Sequence, residues 1–274
     1  MRCNGYMISS KCFTRKFPNI NKYLEIYKSE IKISLFDIYI PHKINNSKYM
    51  EKNNIFIQLS GGRNPIVQME ENIIYANLCL TLTKCLANIF KKLIFTICIN
   101  PYILQNLDVS AYCFDNIKII ASITPTKNFT LMEHSIGIFT SPGLETIYEA
   151  IYTNCPVFLL PEQNAGQFSI FEMLNQNGYD PNRFLINELY PERQKFPGEN
   201  DAHNIYKIIK DYILPSNIRM ASLYKRSINF INNMMVQHKR DAYLQMSLEA
   251  ISVNSKENPF TKNDNVSDYI RNHT

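Results

Sequence analysis

The residues best suited to chemistry lie between positions 136 and 167, in the run IGIFTSPGLETIYEAIYTNCPVFLLPEQNAGQ. A short apolar strand precedes a tight turn, in which Ser141 is the predicted N-cap of a helix and Pro142 its first residue. The free N–H groups around Gly143 at the start of this helix would attract an anion. Glu149 lies about two turns further on, where it can accept hydrogen bonds from hydroxyl groups. This spacing fits a ligand that carries both a negative charge and hydroxyls.

The same spacing also fits a helix that only packs on a sheet and exposes an acidic face. Apolar residues recur at helical spacing from Leu144 to Ile151, which gives the helix one buried stripe. Glu145 and Glu149 are like charges four residues apart, and such pairs repel by a few tenths of a kcal/mol. A hydrogen-bond donor facing Glu149 would remove this repulsion. Spacing alone leaves both interpretations open.

A glycine loop follows the first clear strand, which is predicted at residues 55–60. The loop comprises Gly61, Gly62, Arg63 and Asn64. Its glycines allow a close approach of the backbone to a ligand, and Arg63 can pair with a phosphate through two hydrogen bonds. Alternatively, the glycines form only the turn into a helix that begins near Pro65.

A third polar loop, rich in amides, follows the strand predicted at residues 156–160. It contains Gln163, Asn164 and Gln167. The carboxyl ends of parallel strands meet at one edge of a sheet, so the three loops are expected to lie at the same edge, where ligands bind. The chain has neither a GxGxxG sequence nor a Walker sequence, so neither of those two nucleotide-binding motifs applies.

Strands and helices alternate from residue 55 onwards, which predicts an α/β fold with a Rossmann-like parallel sheet flanked by helices. The predicted strands are 55–60, 93–99, 117–122, 136–139, 156–160 and 184–186. Predicted helices between them cover 67–91, 101–107, 129–134, 142–151 and 168–177, with Asn128 or Thr130 capping the third and Gly178 ending the last. Further helices are predicted at 202–213, 216–238 and 241–252.

This pattern divides the chain into four parts. We expect residues 1–52 to form a leader or linker or the remnant of an upstream domain, 53–192 a Rossmann-like domain, 193–253 a helical region and 254–274 a disordered tail. His42 in the first part could act as a catalytic base, but a solvated linker histidine explains it more simply. His203 and His238 are predicted to be surface or packing residues.

Composition excludes several classes of protein. The net charge of +5 arises from 29 basic and 24 acidic residues scattered along the chain, so nucleic acid is not an expected partner. The seven cysteines show no CxxC pair or zinc spacing, and several lie in apolar runs, as expected for reduced thiols in a cytoplasmic protein. No apolar run is long enough for a membrane span.

The combination of these features resembles the donor-binding half of GT-B glycosyltransferases. The nearest likeness is to the group that contains the N-acetylglucosaminyltransferase of lipid II synthesis and the transferases of antibiotic and nucleoside pathways. The likeness covers residues 54–187 and rests on the order of the glycine loop, the SPG turn, the helix glutamate, and the LP-x-Q-N loop.

The resemblance implies that this region binds a nucleotide-diphosphate sugar, with a UDP-sugar as the first expectation. It places the ribose hydroxyls on Glu149, the phosphates at Ser141 and Gly143, and the base near the backbone of Ile123. The sugar would meet Gln163, Asn164 and Gln167, while the glycine loop would meet the phosphates on the reaction side. It implies neither a metal nor another cofactor, because such enzymes stabilise the leaving diphosphate with helix N-termini and side chains.

The sequence departs from the GT-B pattern in one large respect. Such enzymes have a complete N-terminal domain that binds the acceptor and often supplies the catalytic base, whereas residues 1–52 hold at most a remnant of one. The catalytic base is therefore unknown, and transfer is expected to need an acceptor-domain protein or a homo-oligomer. The alternatives are a truncated, non-catalytic GT-B-like subunit with a binding or regulatory role and, less well supported, a nucleotide-sugar epimerase.

Overall fold

The computed structural model describes residues 7–8, 11–15, 32–36, 52–59, 64, 67–176, 178–186 and 199–252. It separates the chain into two compact units. The smaller comprises residues 1–44, 172–180 and 246–274, and the larger comprises residues 45–171 and 181–245. His42, the glycine-loop residues 61–63 and the tail from residue 254 lie outside the described residues.

The smaller unit contains a three-stranded sheet in the order β1-β2-β3. Its strands are β1 (Met7–Ile8), β2 (Lys11–Arg15) and β3 (Lys32–Phe36). Strand β2 is antiparallel to β1 and parallel to β3.

The larger unit is built on a six-stranded sheet in which every strand pairs in parallel. Its strands are β4 (Asn54–Leu59), β5 (Ile94–Ile99), β6 (Ile117–Ala121), β7 (Ser135–Thr140), β8 (Val157–Leu159) and β9 (Asn182–Arg183). Their spatial order is β6-β5-β4-β7-β8-β9. The chain first winds outward from β4 through β5 to β6, and then returns to lay β7 on the other side of β4. The predicted Rossmann-like sheet is confirmed, and its direction of winding reverses between β4 and β7.

Helices connect these strands and continue after them. They are α1 (Met69–Ile89), α2 (Pro101–Leu104), α3 (Pro125–Glu133), α4 (Leu144–Tyr152), α5 (Ala165–Gln176), α6 (Glu199–Ile208), α7 (Asn217–Met235) and α8 (Gln237–Ser252). A 3₁₀ turn at Ser110–Tyr112 precedes β6, and a π-helical turn at Ile209–Ile213 follows α6. The predicted C-terminal helices are confirmed. Gly178, with a φ of 88°, takes the left-handed conformation expected just after the end of α5.

Two local predictions are wrong. Helix α3 begins at Pro125, and its N-cap is Thr124 rather than Asn128 or Thr130, because proline fits the first helical position and the Thr124 hydroxyl accepts a hydrogen bond from Lys127 N at 3.3 Å. The last strand among the described residues is β9, which precedes the predicted run 184–186. That run is apolar because it is buried, and burial alone does not place a segment in a sheet.

A buried chain of polar side chains fixes the alignment of the three central strands. Thr96 Oγ1 on β5 donates to Asn54 Oδ1 on β4 at 2.8 Å, and Asn54 Nδ2 donates to Ser135 Oγ on β7 at 2.7 Å. Each of these side chains is at most 8% exposed. Since a slip of one residue would leave buried polar groups unpaired, these bonds favour a single register.

The hydrophobic core of the larger unit is formed by the sheet together with helices on its faces. The rings of Phe139, Phe158 and Phe230 lie with centroids 4.8 to 5.5 Å apart, which joins β7 and β8 to α7. Among the described cysteines, Cys79, Cys98 and Cys155 are buried and form no disulfide, as predicted for core thiols. In the described part of the chain, no helix is both long and apolar enough to cross a membrane.

We expect Gly137→Ala to destabilise the larger unit by about 1–3 kcal/mol, the usual cost of overpacking a core. An added Cβ would lie 2.8 Å from Cε1 and Cζ of Phe230 and 3.3 Å from Pro156 O. Urea denaturation of the variant measures the loss. In a Phe230→Leu background the same substitution should cost less, because the smaller side chain leaves room; an equal cost in both backgrounds would contradict this packing account.

Candidate functional site

The candidate site lies at the carboxyl ends of β4 and β7, where the sheet reverses its direction of winding. Gln58 and Thr140 are paired in register at the ends of these two strands, so the loops that follow leave the sheet at the same level. In open α/β sheets, ligands bind in the crevice at such a switch point. The glycine loop follows β4 here, and the roles of Gly61, Gly62 and Arg63 stay predictions.

The turn after β7 differs from the prediction in how it starts α4. Gly143, not Ser141, is the N-cap, and it has an extended backbone with φ −115° and ψ 123°. Pro142 therefore precedes the helix. No side chain caps the first N–H groups of α4, so this end of the helix offers backbone donors and a partial positive charge.

Ser141 is not a cap because its hydroxyl contacts the amide loop. Gln163 Nε2 lies 3.4 Å and Gln167 Nε2 3.3 Å from Ser141 Oγ, and both amides donate to it. A serine hydroxyl has two acceptor positions and one donor. With both acceptor positions filled, the Ser141 proton is left to bond an acceptor from outside this network.

The orientation of both amides is fixed at their other ends. Gln167 Oε1 accepts a hydrogen bond from Gln163 N at 2.7 Å, which directs its Nε2 group towards Ser141. Gln163 Oε1 accepts a hydrogen bond from Tyr206 OH at 2.9 Å, which has the same effect. Burial raises the pKa of Tyr206, so this hydroxyl remains a donor at neutral pH. The donor role of Ser141 thus follows from three neighbouring side chains.

Burial separates the residues of the amide loop by their surroundings. Glu162 is fully buried, and its Oε2 atom accepts a hydrogen bond from Ile186 N at 2.9 Å. Gln163 is only 2% exposed and is engaged by Ser141 and Tyr206. Asn164 and Gln167 are half-buried. The structure therefore places Gln163 in the support of the site, and Asn164 nearer its surface.

Asn64 connects the end of the glycine loop to both α1 and the amide loop. Its N–H donates to Asn72 Oδ1 at 2.8 Å, and Asn72 Nδ2 donates back to Asn64 O at 3.3 Å. Asn64 Nδ2 also donates to Gln163 O at 3.3 Å. Because Asn64 is 6% exposed, these bonds hold the backbone of one loop against the other.

A hydrogen-bond donor faces Glu149 and offsets its repulsion from Glu145, as the sequence analysis suggested one could. Asn128 Nδ2, on α3, donates to Glu149 Oε2 at 3.1 Å. Glu149 is half-buried, whereas Glu145 is exposed in the first turn of α4. The carboxylate of Glu149 is thus held on the flank of α4.

Ile123 lies directly after β6, at the same edge of the sheet as the other loops but separated from β7 by two strands. Its side chain is half-buried. Helix α3, which follows it, carries Asn128 to Glu149. The structure therefore links Ile123 to the rest of the site through α3.

Sequence reasoning missed the residues that support the site from elsewhere in the chain. Tyr206 lies on α6, and its place in the sequence pattern is that of an ordinary residue on the apolar face of an amphipathic helix. Tyr75, on α1, packs edge-to-face with Tyr206 at 6.4 Å and donates from its hydroxyl to Pro161 O at 2.7 Å. His203, also on α6, contacts Glu71 in the first turn of α1 at 2.7 Å. No local sequence signal distinguishes these residues from ordinary packing residues.

Among the described residues, no group of three or more His, Cys, Asp or Glu side chains is arranged to hold a metal ion. The site consists instead of amides, hydroxyls, one carboxylate and the N–H groups of a helix start. Such groups bind anions and polyols.

The fold and site define the class of this protein as a doubly wound, Rossmann-like α/β protein with its polar site at the switch point.

No protein-family model matches the chain, and no curated protein matches it. Similar solved structures include a UDP-glucosyltransferase from Polygonum tinctorium, with a TM-score of 0.47 and 12% identity over 92% of this chain and 51% of that chain. Another is the spinosyn rhamnosyltransferase in complex with thymidine diphosphate, with a TM-score of 0.44 and 12% identity over 81% of this chain and 49% of that one. Both of those proteins are glycosyltransferases, and this chain spans about half of the length of each.

We expect Tyr206→Phe to lower the free energy of unfolding by about 1–3 kcal/mol, because it leaves Gln163 Oε1 buried without its donor. Chemical denaturation checks the loss. Tyr112→Phe is the matched control, since the described residues provide no hydrogen bond to that half-buried hydroxyl. Equal stability changes in the two variants would show that the Tyr206 hydroxyl does not support the amide loop.

Proposed function

We propose that the larger unit binds a nucleoside-diphosphate sugar at the switch point and serves as the donor-binding half of a glycosyltransferase. One observation carries this proposal. At the uncapped start of α4, the hydroxyl of Ser141 has both acceptor positions occupied by Gln163 and Gln167, and so remains a donor. Backbone N–H groups and a hydroxyl donor in the same turn favour a ligand with acceptor oxygens and negative charge, such as a diphosphate.

The turn at Gly143 leaves space for such a ligand. A Cβ at this position would meet Ser141 O at 3.8 Å and Thr146 Oγ1 at 3.9 Å, which are ordinary contacts. Its φ of −115° is open to any residue. Among the described residues, neither packing nor backbone conformation calls for glycine here, whereas a phosphate approaching the helix N–H groups would.

The remaining groups fit the other parts of a donor. Glu149 offers carboxylate oxygens to the ribose hydroxyls, and the backbone near Ile123 lies at the edge where the base would extend. We assign the sugar chiefly to Asn164, since its Oδ1 atom accepts from Gln167 N at 3.0 Å and its Nδ2 group is unengaged among the described residues. In this proposal Gln163 and Gln167 act mainly by orienting Ser141. The glycine loop remains the proposed contact on the reaction side.

In the proposed reaction, an acceptor hydroxyl attacks the anomeric carbon and loses its proton, while the bond from that carbon to the diphosphate oxygen breaks. The diphosphate leaves with the bonding electrons. The start of α4 and the Ser141 proton stabilise the charge that develops on it. The base that takes the proton, and the surface that binds the acceptor, we assign to an acceptor-domain protein or a second copy of this chain. A non-catalytic subunit with the same donor site would bind the nucleotide but show no transfer with either partner.

We expect UDP to raise the melting temperature of the protein, because a ligand that binds only the folded state stabilises it. Glu149→Ala should abolish the shift by removing the acceptor of the ribose hydroxyls. Thermal denaturation with and without millimolar UDP measures both.

Glu145→Ala is the matched control for this experiment, since it removes the same charge from an exposed position on the same helix. It should retain the shift or increase it, because one negative charge near the diphosphate is gone. If neither UDP nor any other nucleotide or nucleotide sugar shifts the wild-type transition, the proposed function is wrong.

We expect Gln167→Glu to reverse the polarity of Ser141 and to weaken UDP binding by about tenfold or more. The new carboxylate can still accept from Gln163 N, but its second oxygen must accept from Ser141 Oγ and so draws the serine proton inward. Isothermal titration with UDP measures the change, and uridine, which has no phosphate, should bind equally to both proteins.

The negative charge that Gln167→Glu introduces would also repel a diphosphate, so the comparison is repeated in a Ser141→Ala background. There the substitution should cost clearly less, because no serine proton remains to be redirected. If Gln167→Glu weakens UDP binding equally in both backgrounds, the whole effect comes from charge repulsion, and the orientation of the Ser141 proton plays no part in binding.

A further inference from the structure

Asn128 combines burial, one strong hydrogen bond and one unpaired polar atom. Its side chain is only 7% exposed. Its Nδ2 group donates to Glu149 Oε2 at 3.1 Å, while its Oδ1 atom is buried and has no hydrogen-bond partner among the described residues. Buried polar atoms are nearly always paired, so an unpaired one calls for a specific explanation.

The charge of Glu149 explains why the amide stays in this orientation. A flipped amide would place Oδ1 against the carboxylate, and two acceptors at this distance repel. The orientation that lets Asn128 Nδ2 donate to Glu149 therefore leaves Oδ1 without a hydrogen-bond donor among the described residues. A leucine has the same branching and no unpaired acceptor, but it is larger and would leave Glu149 Oε2 without this donor. The asparagine is therefore explained by the carboxylate that its amide contacts.

We propose that Asn128 is a positioning residue that fixes the carboxylate of Glu149 and thereby sets the preference of the site for ribonucleotides over deoxyribonucleotides. This inference rests on the proposed function, in which Glu149 receives the ribose hydroxyls. A carboxylate has about four acceptor positions, and a hydrogen bond at one of them limits how its plane can rotate. When the plane of the carboxylate is fixed, it binds the 2′ and 3′ hydroxyls of a ribose together more tightly than it binds a single hydroxyl.

The position of α3 makes this role possible. The helix starts directly after the loop that contains Ile123, with Thr124 as its N-cap, and Asn128 lies one turn further on. The loop proposed to meet the base and the carboxylate proposed to meet the ribose are thus held together through Asn128. Recognition of the base and of the ribose would be coupled by this contact.

The test compares the dissociation constants of UDP and 2′-deoxy-UDP by isothermal titration. The wild-type protein should prefer UDP by about tenfold or more, the ratio expected for one hydrogen bond to a charged group. In Asn128→Leu this ratio should fall to about threefold or less, and the melting temperature of the unliganded protein is measured alongside it. A residue with only a structural role would leave the ratio unchanged, whatever its effect on the melting temperature.

Asn116→Leu is the control for loss of a structural asparagine. Asn116 Nδ2 donates to Ala87 O at 3.0 Å and Leu93 O at 3.2 Å, away from Glu149. This variant should lower the melting temperature and retain the wild-type ratio. Asn128→Asp, which keeps the shape and removes the donor, provides a second test of the ratio if Asn128→Leu does not fold.

The outcomes separate this inference from the proposed function. If the wild-type protein binds neither nucleotide, both are wrong. If Glu149→Ala abolishes UDP binding but the Asn128 variants keep the wild-type ratio, the donor site stands and the role of Asn128 is overturned. A collapsed ratio in the Asn128 variants, together with a retained ratio in Asn116→Leu, supports the inference.

Discussion

The parallel pairing of β4 with β7 is the constraint on which the rest of the larger unit depends. These strands are distant in sequence, and placing them side by side reverses the winding of the sheet and opens a crevice at their carboxyl ends. The buried bonds from Asn54 to Thr96 and Ser135 hold this arrangement at the opposite end of the strands. If β7 slipped by one residue, its side chains would exchange faces and the following turn would be displaced.

At the open end of the two strands, burial converts ordinary polar residues into groups with fixed roles. In water the hydroxyl of Ser141 could donate or accept with equal ease. In the folded protein Tyr206 orients Gln163, Gln163 N orients Gln167, and the two amides leave Ser141 only its proton to offer. A chain of hydrogen bonds in a region of low dielectric is rigid, since breaking any one of them leaves a buried group unpaired. The polarity of the site is therefore a property of the network.

Two glycines near this turn have different physical explanations. Gly137 lies within β7, where a methyl group would collide with the ring of Phe230. Gly143 lies at the start of α4, where a methyl group would meet only ordinary contacts. The first glycine is required by the core. The second meets no such steric requirement among the described residues.

The sequence by itself determined the parallel sheet, the order of its loops and the position of Glu149 on the helix after β7. These features follow from local rules, because hydrophobic period and turn chemistry act over a few residues. The end of α5 near Gly178 is also determined locally, because the left-handed backbone conformation there favours glycine.

Only the tertiary structure decided which partners the polar side chains meet. Ser141 appeared to be a helix cap because its local sequence allows that role, but it bonds Gln163, 22 residues away. Asn128 appeared to be a possible cap, but it bonds Glu149, 21 residues away. Tyr206 reaches Gln163 across 43 residues from a helix that sequence reasoning had set apart from the sheet. Local propensity cannot foresee such bonds, because their stability comes from burial, and burial exists only once distant segments have packed together.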